Sequence, residues 1–363
     1  MNSNCRVRVV ESLDEWREKA GEWNDLLLQS SSDSIFLTWE WLYTWAECFL
    51  TERRKLFILL VYNNDELVGI APWCIHHTNS KLIKLKQIEF LGTLEVGSDY
   101  LDVFSRKGKE REVATQIYNF LFENVPSVWD SLMLKDLPSN SLFFLHFIDK
   151  IEEEGKYVEI RRGSFSPFVS LPGSKSDFVA SLSPHRKQQY RRHLRILQTQ
   201  NKVVHRSFVG RDVEAVLDDF LSFFSEKKGY SNEQFFLFLK TFALKSIEKQ
   251  WVQIDMLISD TSKIVCLYQL RYRDSLSQYL MVTDKSFNPK LSVGNILVEL
   301  CLENAISEKV SIYDFLKGTE PYKFHWANGG RSSMDLFFCQ RKVSALLTVM
   351  GRFLKYLGKI VLK

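Results

Sequence analysis

The sequence predicts an α/β (α+β) protein made of two consecutive units, each with a mixed β-sheet flanked by helices. β-Branched and aromatic runs that predict strands alternate along the chain with stretches of helical apolar spacing. The predicted order of hairpin, further strand, helix and strand between Leu56 and Leu134 recurs between Trp251 and Leu316. This repetition, without evident sequence identity, predicts two copies of one structural unit.

Length and composition are those of an ordinary globular protein. The 363 residues suffice for two domains, and 45% apolar with 25% charged residues is a common balance. A net charge of only +4 gives no global electrostatic argument for nucleic-acid binding. Six cysteines without a C-x-x-C spacing favour a reducing compartment and argue against a zinc site, so we expect no metal.

No targeting or membrane-spanning segment is apparent in the sequence. The first ten residues lack the apolar core of a signal peptide. No apolar run approaches the ~18 residues that are needed to cross a bilayer. We therefore expect a cytoplasmic protein.

The first unit is predicted to begin with a strand and a helix, which Ser12 caps and which has Glu15 three residues later. A hairpin is predicted around the turn 63–66, and Pro72 suggests that its second strand is an edge strand or carries a bulge. Further elements are predicted at 111–122, 128–134 and 143–153. The aromatic segment Phe36–Trp45 is interpreted as core, with direct ligand contact as the alternative.

The second unit is predicted to contain a strongly basic helix near its start. No acidic residue occurs between Phe178 and Arg211, and Ser183-Pro184 provides an N-cap followed by proline at the first helical position. The helix 185–200 carries the basic residues Arg186, Lys187, Arg191, Arg192 and Arg195. A solvated basic face and an anion-binding platform both stay open as interpretations.

A glycine occupies the start of a later helix in the second unit. Elements are predicted before it at 213–227, 233–249, 251–258, 264–273 and 277–282. The segment 288–295 then leads into a helix at Ile296–Ser307, and it contains Gly294. A glycine there lets the backbone approach a phosphate, which the free N–H groups and the helix dipole bind. The alternative is an ordinary turn glycine.

Polar and ionisable side chains concentrate in the stretch Ile312–Trp326. A short strand ends at Lys317-Gly318, and the following loop carries Glu320, Tyr322, Lys323 and His325. Groups placed just after a strand end are common sites of ligand binding and chemistry in α/β proteins. The alternative is a turn in which Tyr322 and Trp326 are half-buried anchors.

The same stretch resembles the closing motif D-F-x-x-G-x-E-x-Y-K-x-x-W of a bacterial acyltransferase family of the GNAT superfamily. That family is associated with cellulose or exopolysaccharide biosynthesis and is distantly related to the FemABX peptidoglycan aminoacyltransferases. The matching residues are Asp314, Phe315, Gly318, Glu320, Tyr322, Lys323 and Trp326, whereas Lys317 stands where arginine is commoner. Phe36, Trp41 and Trp45, and the serine-led basic helix, also have counterparts in the family.

The resemblance implies two GNAT-like units and an acyl-CoA co-substrate, most simply acetyl-CoA. Its pyrophosphate would be held by Ser292, Val293, Gly294, Asn295 and Ile296, and the basic helix would serve the CoA phosphates or an anionic acceptor. Of the superfamily pattern Q/R-x-x-G-x-G/A only Gly294 is kept, within S-V-G-N, and the narrower family has a similar S-P-G.

Acyl transfer to an amine needs orientation, oxyanion stabilisation and two proton transfers. Tyr322 is the candidate acid for the departing thiolate, since the reference pKa values of tyrosine and a thiol are ~10 and ~8.5. Glu320 or His325 is the candidate base, and Lys323 is a candidate for orienting an anionic acceptor. No nucleophile elbow, H-E-x-x-H motif or P-loop occurs in the sequence.

Three segments follow from these assignments. We expect a degenerate GNAT-like unit at 1–165, an acyl-CoA-binding unit at 166–339, and a basic amphipathic helix at 340–363. The last segment contains no acid after Gln340, and its pattern is typical of an interfacial helix, a partner-binding helix, or a helix docked on its own protein. Weak contact with an anionic membrane at its inner face is therefore expected.

Three functional hypotheses remain. The first is an acyl-CoA-dependent N-acyltransferase acting on an amine, or less often a hydroxyl, of a small-molecule or glycan precursor of the cell envelope or exopolysaccharide. The second is a FemABX-like transferase that takes aminoacyl-tRNA, with the basic helix serving RNA. The third is a non-catalytic module that keeps the GNAT fold.

Overall fold

A computed structural model describes residues 5–79, 84–199, 203–259, 262–287 and 292–340. These residues form two compact units: one comprises the residues up to Ser164 and those from Ser332 onward, and the other comprises Phe165–Arg331. Residues 332–339, assigned above to the second unit, therefore group with the first. The predicted helix at 340–363 and its membrane contact lie outside the described residues, apart from Gln340.

The elements are numbered in chain order. The strands are β1 (Cys5–Val10), β2 (Arg54–Leu56), β3 (Ile58–Asn63), β4 (Glu66–Ala71), β5 (Trp73–Asn79), β6 (Lys84–Phe90), β7 (Phe104–Ser105), β8 (Ser131–Pro138), β9 (Glu159–Ser170), β10 (Val203–Val209), β11 (Val252–Ser259), β12 (Ser262–Tyr272), β13 (Ser275–Thr283), β14 (Ile312–Asp314) and β15 (Gly329–Cys339). The helices are α1 (Leu13–Arg17), α2 (Ala20–Leu28), α3 (Trp39–Phe49), α4 (Glu110–Asn119), α5 (Leu142–Glu153), α6 (Lys175–Ser181), α7 (Pro184–Thr199), α8 (Glu214–Lys228), α9 (Glu233–Lys245) and α10 (Val293–Ser307). Among the helices in the described ranges, none is both long and apolar enough to cross a bilayer.

The first unit contains two groups of paired strands. Strands β1, β3, β4 and β7 pair antiparallel, and β2, β5, β6, β8 and β15 form a mixed group in which β6 and β8 are parallel. Pro72 lies between β4 and β5, at the point where the chain passes from one group to the other. Because proline cannot donate to a ladder, it ends the hairpin strand β4. The predicted bulge of this strand is present but lies earlier, at Val68, where the register with β3 shifts.

Aromatic side chains dominate the core of the first unit. Phe36, Trp41 and Trp45 are at most 1% exposed, and the ring centroids of Phe36 and Trp41 lie 5.0 Å apart in an edge-to-face contact. The indole N–H of Trp41 donates to Ser98 Oγ across 2.8 Å. The interpretation of this segment as core is confirmed.

The second unit is a mixed sheet in the order β10-β11-β12-β13-β14-β9. All of its pairs are antiparallel except β13 with β14, which α10 connects. The buried face of α10 packs on the sheet through Ile296, Leu297 and Cys301. The first unit has the same arrangement, because β6 and β8 are parallel and α4 lies between them in the chain. The predicted repeat of one α/β unit is confirmed.

Candidate functional site

Strands β13 and β14 separate after three pairs, and this separation defines the candidate site. Their parallel pairing ends at Ser277 with Asp314, whereas β13 continues to Thr283. The polar loop after β14 begins where the pairing of β14 with β13 ends. One edge of β13 is therefore without a β14 partner over its last six residues, 278–283.

A bulge in β13 places three side chains of this free segment on one face. Gln278 pairs with Gln269 and Leu280 with Tyr268, so Tyr279 is the extra residue. Beyond the bulge, Met281 and Thr283 lie opposite Leu267 and Val265, which share a face with Gln269 because they are spaced by two. The face of β13 that is directed towards α10 thus carries Gln278, Met281 and Thr283. Without the bulge, strict alternation would put Gln278 on the opposite face from the other two.

The start of α10 lies against this same face. Ser292 precedes the helix, and its side chain makes no capping hydrogen bond. A Cβ built on Gly294 would lie 3.5 Å from Met281 Sδ and 3.7 Å from Thr283 Oγ1, which is ordinary van der Waals contact. The packing of the chain therefore does not require glycine at this position.

The other predicted residues of this segment divide between core and surface. Val293 and Ile296 are buried and pack in the core of the unit. Ser292 is exposed, and Gly294 and Asn295 are partly exposed. Only backbone groups and the two small polar side chains of this turn face the surface.

The hydroxyl of Tyr322 is also anchored to the free segment of β13. Gln278 Nε2 donates to Tyr322 Oη across 2.7 Å, and Gln278 Oε1 accepts from the Tyr313 hydroxyl across 3.4 Å. Burial raises the pKa of Tyr322 to about 12, with the Glu320 carboxylate adding to the rise and the bond from Gln278 opposing it. The phenol is therefore protonated at neutral pH, and its oxygen already accepts one hydrogen bond.

Lys323 organises the loop between β14 and Tyr322. Its side chain is buried, and Nζ donates to the carbonyl oxygens of Leu316 (3.2 Å) and Lys317 (2.8 Å) and pairs with Glu320 Oε2 at 3.0 Å. All three ammonium donors are thus engaged within the loop. Orientation of an acceptor by this ammonium would require one of these bonds to open.

Glu320 is held as an anion beside Lys323. Partial burial acts to raise the pKa of its carboxyl group, but hydrogen bonds from its own backbone N–H and from Lys323 outweigh burial and lower it. Gly318 has φ +133°, and a Cβ there would overlap Glu320 Oε2 and lie 2.7 Å from Lys323 Nζ. The ion pair therefore occupies the space beside this glycine.

Asp314, the first residue of the motif, has a structural role. Its Oδ1 accepts from the backbone N–H of Leu316 across 2.8 Å, and its Oδ2 accepts from Arg331 across 2.6 Å. Leu316 has φ +55°, an uncommon conformation for a non-glycine residue. The buried carboxylate thus stabilises the turn that leads the chain from β14 to Tyr322.

His325 and Trp326 lie close to the basic helix α7. The guanidinium of Arg186 is 5.4 Å from the centre of the Trp326 ring, which also stacks on Phe178 at 6.3 Å. Burial, followed by the charge of Arg186, lowers the pKa of His325. The His325 side chain is exposed, so it presents a neutral imidazole to solvent at neutral pH.

One face of α7 is docked on α10. The Tyr190 hydroxyl donates to Glu303 Oε1, and His193 Nδ1 lies 2.9 Å from Glu299 Oε2. On another face, one surface groove is lined by Pro184, Lys187, Gln188, Arg191, Arg192 and Arg195. Lys187, Arg191 and Arg192 pair with no carboxylate in the described part of the chain. The groove is compatible with both interpretations of the basic helix, a solvated basic face and an anion-binding platform.

The sequence analysis missed Gln278 as the partner of Tyr322. A signal existed, since Gln278 is an amide within the strand S-L-S-Q-Y-L-M-V-T. The structure gathers Glu320, Tyr322, Lys323 and His325 in one turn and places Gly294 on the face of β13 that also carries Gln278.

Comparison with known proteins gives a family match and several likenesses of fold. A family model described as an acetyltransferase (GNAT) domain matches residues 184–324. This range includes α7, β13, α10 and Tyr322 but ends before His325. No curated protein matches the chain. The expectation of a GNAT-type transferase is thus confirmed, whereas its narrower assignment to exopolysaccharide biosynthesis stays a prediction.

Several solved structures have a similar fold at very low identity. FemX is 8% identical with a TM-score of 0.59, and the match covers 92% of this chain and 97% of FemX. The C-terminal domain of a protein described as a lysylphosphatidylglycerol synthetase from Agrobacterium fabrum is 9% identical, with a TM-score of 0.55 and coverages of 93% and 96%. L-PGS from Bacillus licheniformis is 10% identical, with a TM-score of 0.53 and coverages of 94% and 95%. These likenesses support the fold alone.

Proposed function

We propose that this chain is an acyl-CoA-dependent N-acyltransferase that acts on an amine, or less often a hydroxyl, of a cell-envelope or exopolysaccharide precursor. The observation that carries the proposal is the shared face of β13. Gln278, which anchors Tyr322, lies three residues before Met281, which contacts the position of Gly294. Because Tyr279 is the extra residue of the bulge, this separation matches the two residues from Gln269 to Leu267 on β12, roughly 7 Å at ~3.4 Å per residue.

The residues at the start of α10 fit an acyl-CoA pyrophosphate. A helix N-terminus attracts an anion through its free N–H groups and its dipole. The Ser292 side chain makes no cap bond there, and Gly294 leaves the first turn without a side chain although the chain has room for one. Ser292, Val293, Gly294, Asn295 and Ile296 would hold the phosphates, mainly through their backbone.

Tyr322 and His325 suit the two proton transfers. Because Tyr322 Oη accepts from Gln278, its own proton is free to point towards a departing thiolate. With a pKa of about 12 it is a weak acid, so hydrogen-bond donation to the thiolate is favoured over complete transfer. The lowered pKa of His325 keeps the imidazole neutral and able to accept a proton from the amine, directly or through water.

The second candidate is a transferase that takes its acyl group from aminoacyl-tRNA. The groove of α7 favours it, because Lys187, Arg191 and Arg192 present charge that no described carboxylate neutralises. The fold likeness to FemX, to the lysylphosphatidylglycerol synthetase domain and to L-PGS is compatible with it. Salt-sensitive tRNA binding that is lost in Arg191→Gln/Arg192→Gln, without any binding of CoA, would favour this candidate.

A thiol-release assay tests the leading proposal. Acetyl-CoA or longer acyl-CoAs are incubated with the protein and a panel of amines and amino sugars, and free CoA thiol is measured. We expect amine-dependent release that Tyr322→Phe reduces by at least ~10², the lower range for acid–base groups. Release that is independent of the amine, or unchanged in Tyr322→Phe, would contradict the proposal. We place the protein in the cytoplasm, with peripheral contact at the inner face of the membrane through 340–363.

A further inference from the structure

A second cluster of reactive side chains lies in the second unit, outside the site described above. His205 of β10, Asp255 of β11 and Cys301 of α10 each offer one ligand atom, and these atoms all lie within 4.8 Å of one another. His205 Nε2 is 2.8 Å from Asp255 Oδ1. Asp255 and Cys301 are fully buried, whereas the side chain of His205 is 15% exposed on an edge strand.

The buried carboxylate of Asp255 has no cationic lysine or arginine partner in the described part of the chain. Its Oδ2 accepts from Gln253 Nε2 (2.7 Å) and Gln269 Nε2 (2.6 Å), which are neutral amides. A buried charge is costly unless it is paired or coordinates a metal. Three kinds of donor, an imidazole, a carboxylate and a thiol, therefore converge at a buried point where no lysine or arginine of the described residues pairs with Asp255.

One buried polar atom beside this cluster also lacks a partner. Gln269 Oε1 makes no hydrogen bond, while Nε2 of the same amide lies 3.6 Å from Cys301 Sγ. The bond from Nε2 to Asp255 Oδ2 fixes the orientation of this amide, with Nε2 on the side of the three ligand atoms. Gln269 Oε1 is thus left as a buried acceptor beside the cluster.

We propose that His205 Nε2, Asp255 Oδ1 and Cys301 Sγ bind a zinc ion, with a water molecule as the fourth ligand. Zinc takes tetrahedral Cys, His and Asp ligands at about 2.0–2.3 Å, which places ligand atoms roughly 3.3–3.8 Å apart. The observed separations require shifts of about 1 Å or less. Zinc, one thiolate and one carboxylate sum to zero charge, which suits a buried site.

Binding is balanced in protons as well as in charge. The thiol proton of Cys301 leaves to solvent when the sulfur binds the metal, and the neutral His205 keeps its proton on Nδ1. No electron is transferred. The site joins β10, β11 and α10, and it departs from the expectation of no metal that the cysteine spacing suggested, because these ligands are distant in the sequence.

Metal content and cobalt spectroscopy test the proposal on the full-length protein. After removal of loose metal with a weak chelator, we expect about one zinc per chain. Replacement by Co²⁺ should give a thiolate-to-cobalt charge-transfer band. Cys301→Ser should abolish the band, and Cys266→Ser, which alters another buried cysteine of the same unit, should leave band and zinc content unchanged.

A second variant guards against misfolding of Cys301→Ser. His205→Gln changes a partly exposed residue of an edge strand, and we expect it to weaken zinc binding tenfold or more while the far-ultraviolet circular dichroism stays the same. Wild-type protein that retains no zinc and shows no cobalt band would overturn the proposal. Zinc content and a cobalt band unchanged in Cys301→Ser would also overturn it.

Discussion

Gln278 Nε2 donates to Tyr322 Oη across 2.7 Å, and this bond links β13 to the loop that follows β14. The bond lies just beyond Ser277 and Asp314, the last residues through which β13 and β14 pair. The bond fixes the position of the phenol and leaves its proton directed elsewhere. Gln278 is therefore a positioning residue for Tyr322.

Replacement of this amide should slow the reaction without affecting the binding of acyl-CoA. In Gln278→Met, which is similar in size but cannot donate, we expect kcat for thiol release to fall roughly tenfold, a part of what acid–base groups supply. KM for acyl-CoA should stay unchanged. Tyr313→Phe is the control, because it removes only the 3.4 Å contact to Gln278. Equal effects of the two variants would contradict the assigned role.

Gly318 should tolerate no side chain. At φ +133° an L-residue is strained, and its Cβ would meet the Glu320–Lys323 pair. We expect Gly318→Ala to lower the free energy of unfolding by about 1–3 kcal/mol, as measured by urea denaturation. Gly173→Ala, whose Cβ would meet nothing within 4 Å, should change stability little. Equal stability of the two variants would refute this account of the loop.

Lys323 should contribute to stability more than its ion-pair partner does. In Lys323→Met the buried carbonyl oxygens of Leu316 and Lys317 lose a donor, and we expect a loss of roughly 2–4 kcal/mol. In Glu320→Gln only the half-exposed partner changes, so the loss should stay below about 1 kcal/mol. Denaturant titration of both variants checks the order, and a reversed order would contradict it.

Asp102 should make the stability of the protein depend on pH. Burial raises the pKa of this carboxyl group from 3.8 to about 7, although Ser141, Ser32 and the backbone N–H of Val103 donate to it. The folded state therefore binds more protons than the unfolded state between these values, and stability falls as pH rises from about 4 to 7. Asp102→Asn should remove this contribution. We expect the free energy of unfolding of the variant, relative to that of wild type, to be higher at pH 8 than at pH 5. Parallel pH profiles of the two proteins would contradict the assignment.

The local parts of the site were predictable from sequence, whereas the long-range contacts were not. The motif around Tyr322 lies within one turn, so its residues come together whatever the rest of the chain does. The bulge at Tyr279 reverses the alternation of faces in β13 and puts Gln278, the partner of Tyr322, on the face that carries Met281 and Thr283. The convergence of His205, Asp255 and Cys301 depends on the pairing of β10 with β11 and on the packing of α10. The periodicity of apolar residues describes one helix or strand at a time, so it predicts neither of these long-range arrangements.

The central claim is that the start of α10 binds the phosphates of acyl-CoA. The most direct test is the melting temperature with and without acetyl-CoA, longer acyl-CoAs and free CoA, for wild type, Gly294→Glu and Gly294→Gln. Ligand at about 100 times its Kd should add roughly 2.7 kcal/mol of stability to wild type. We expect Gly294→Glu to lose this shift, and the matched Gly294→Gln, which adds similar bulk without charge, to retain more of it. No shift with any CoA in the wild-type protein would contradict the claim.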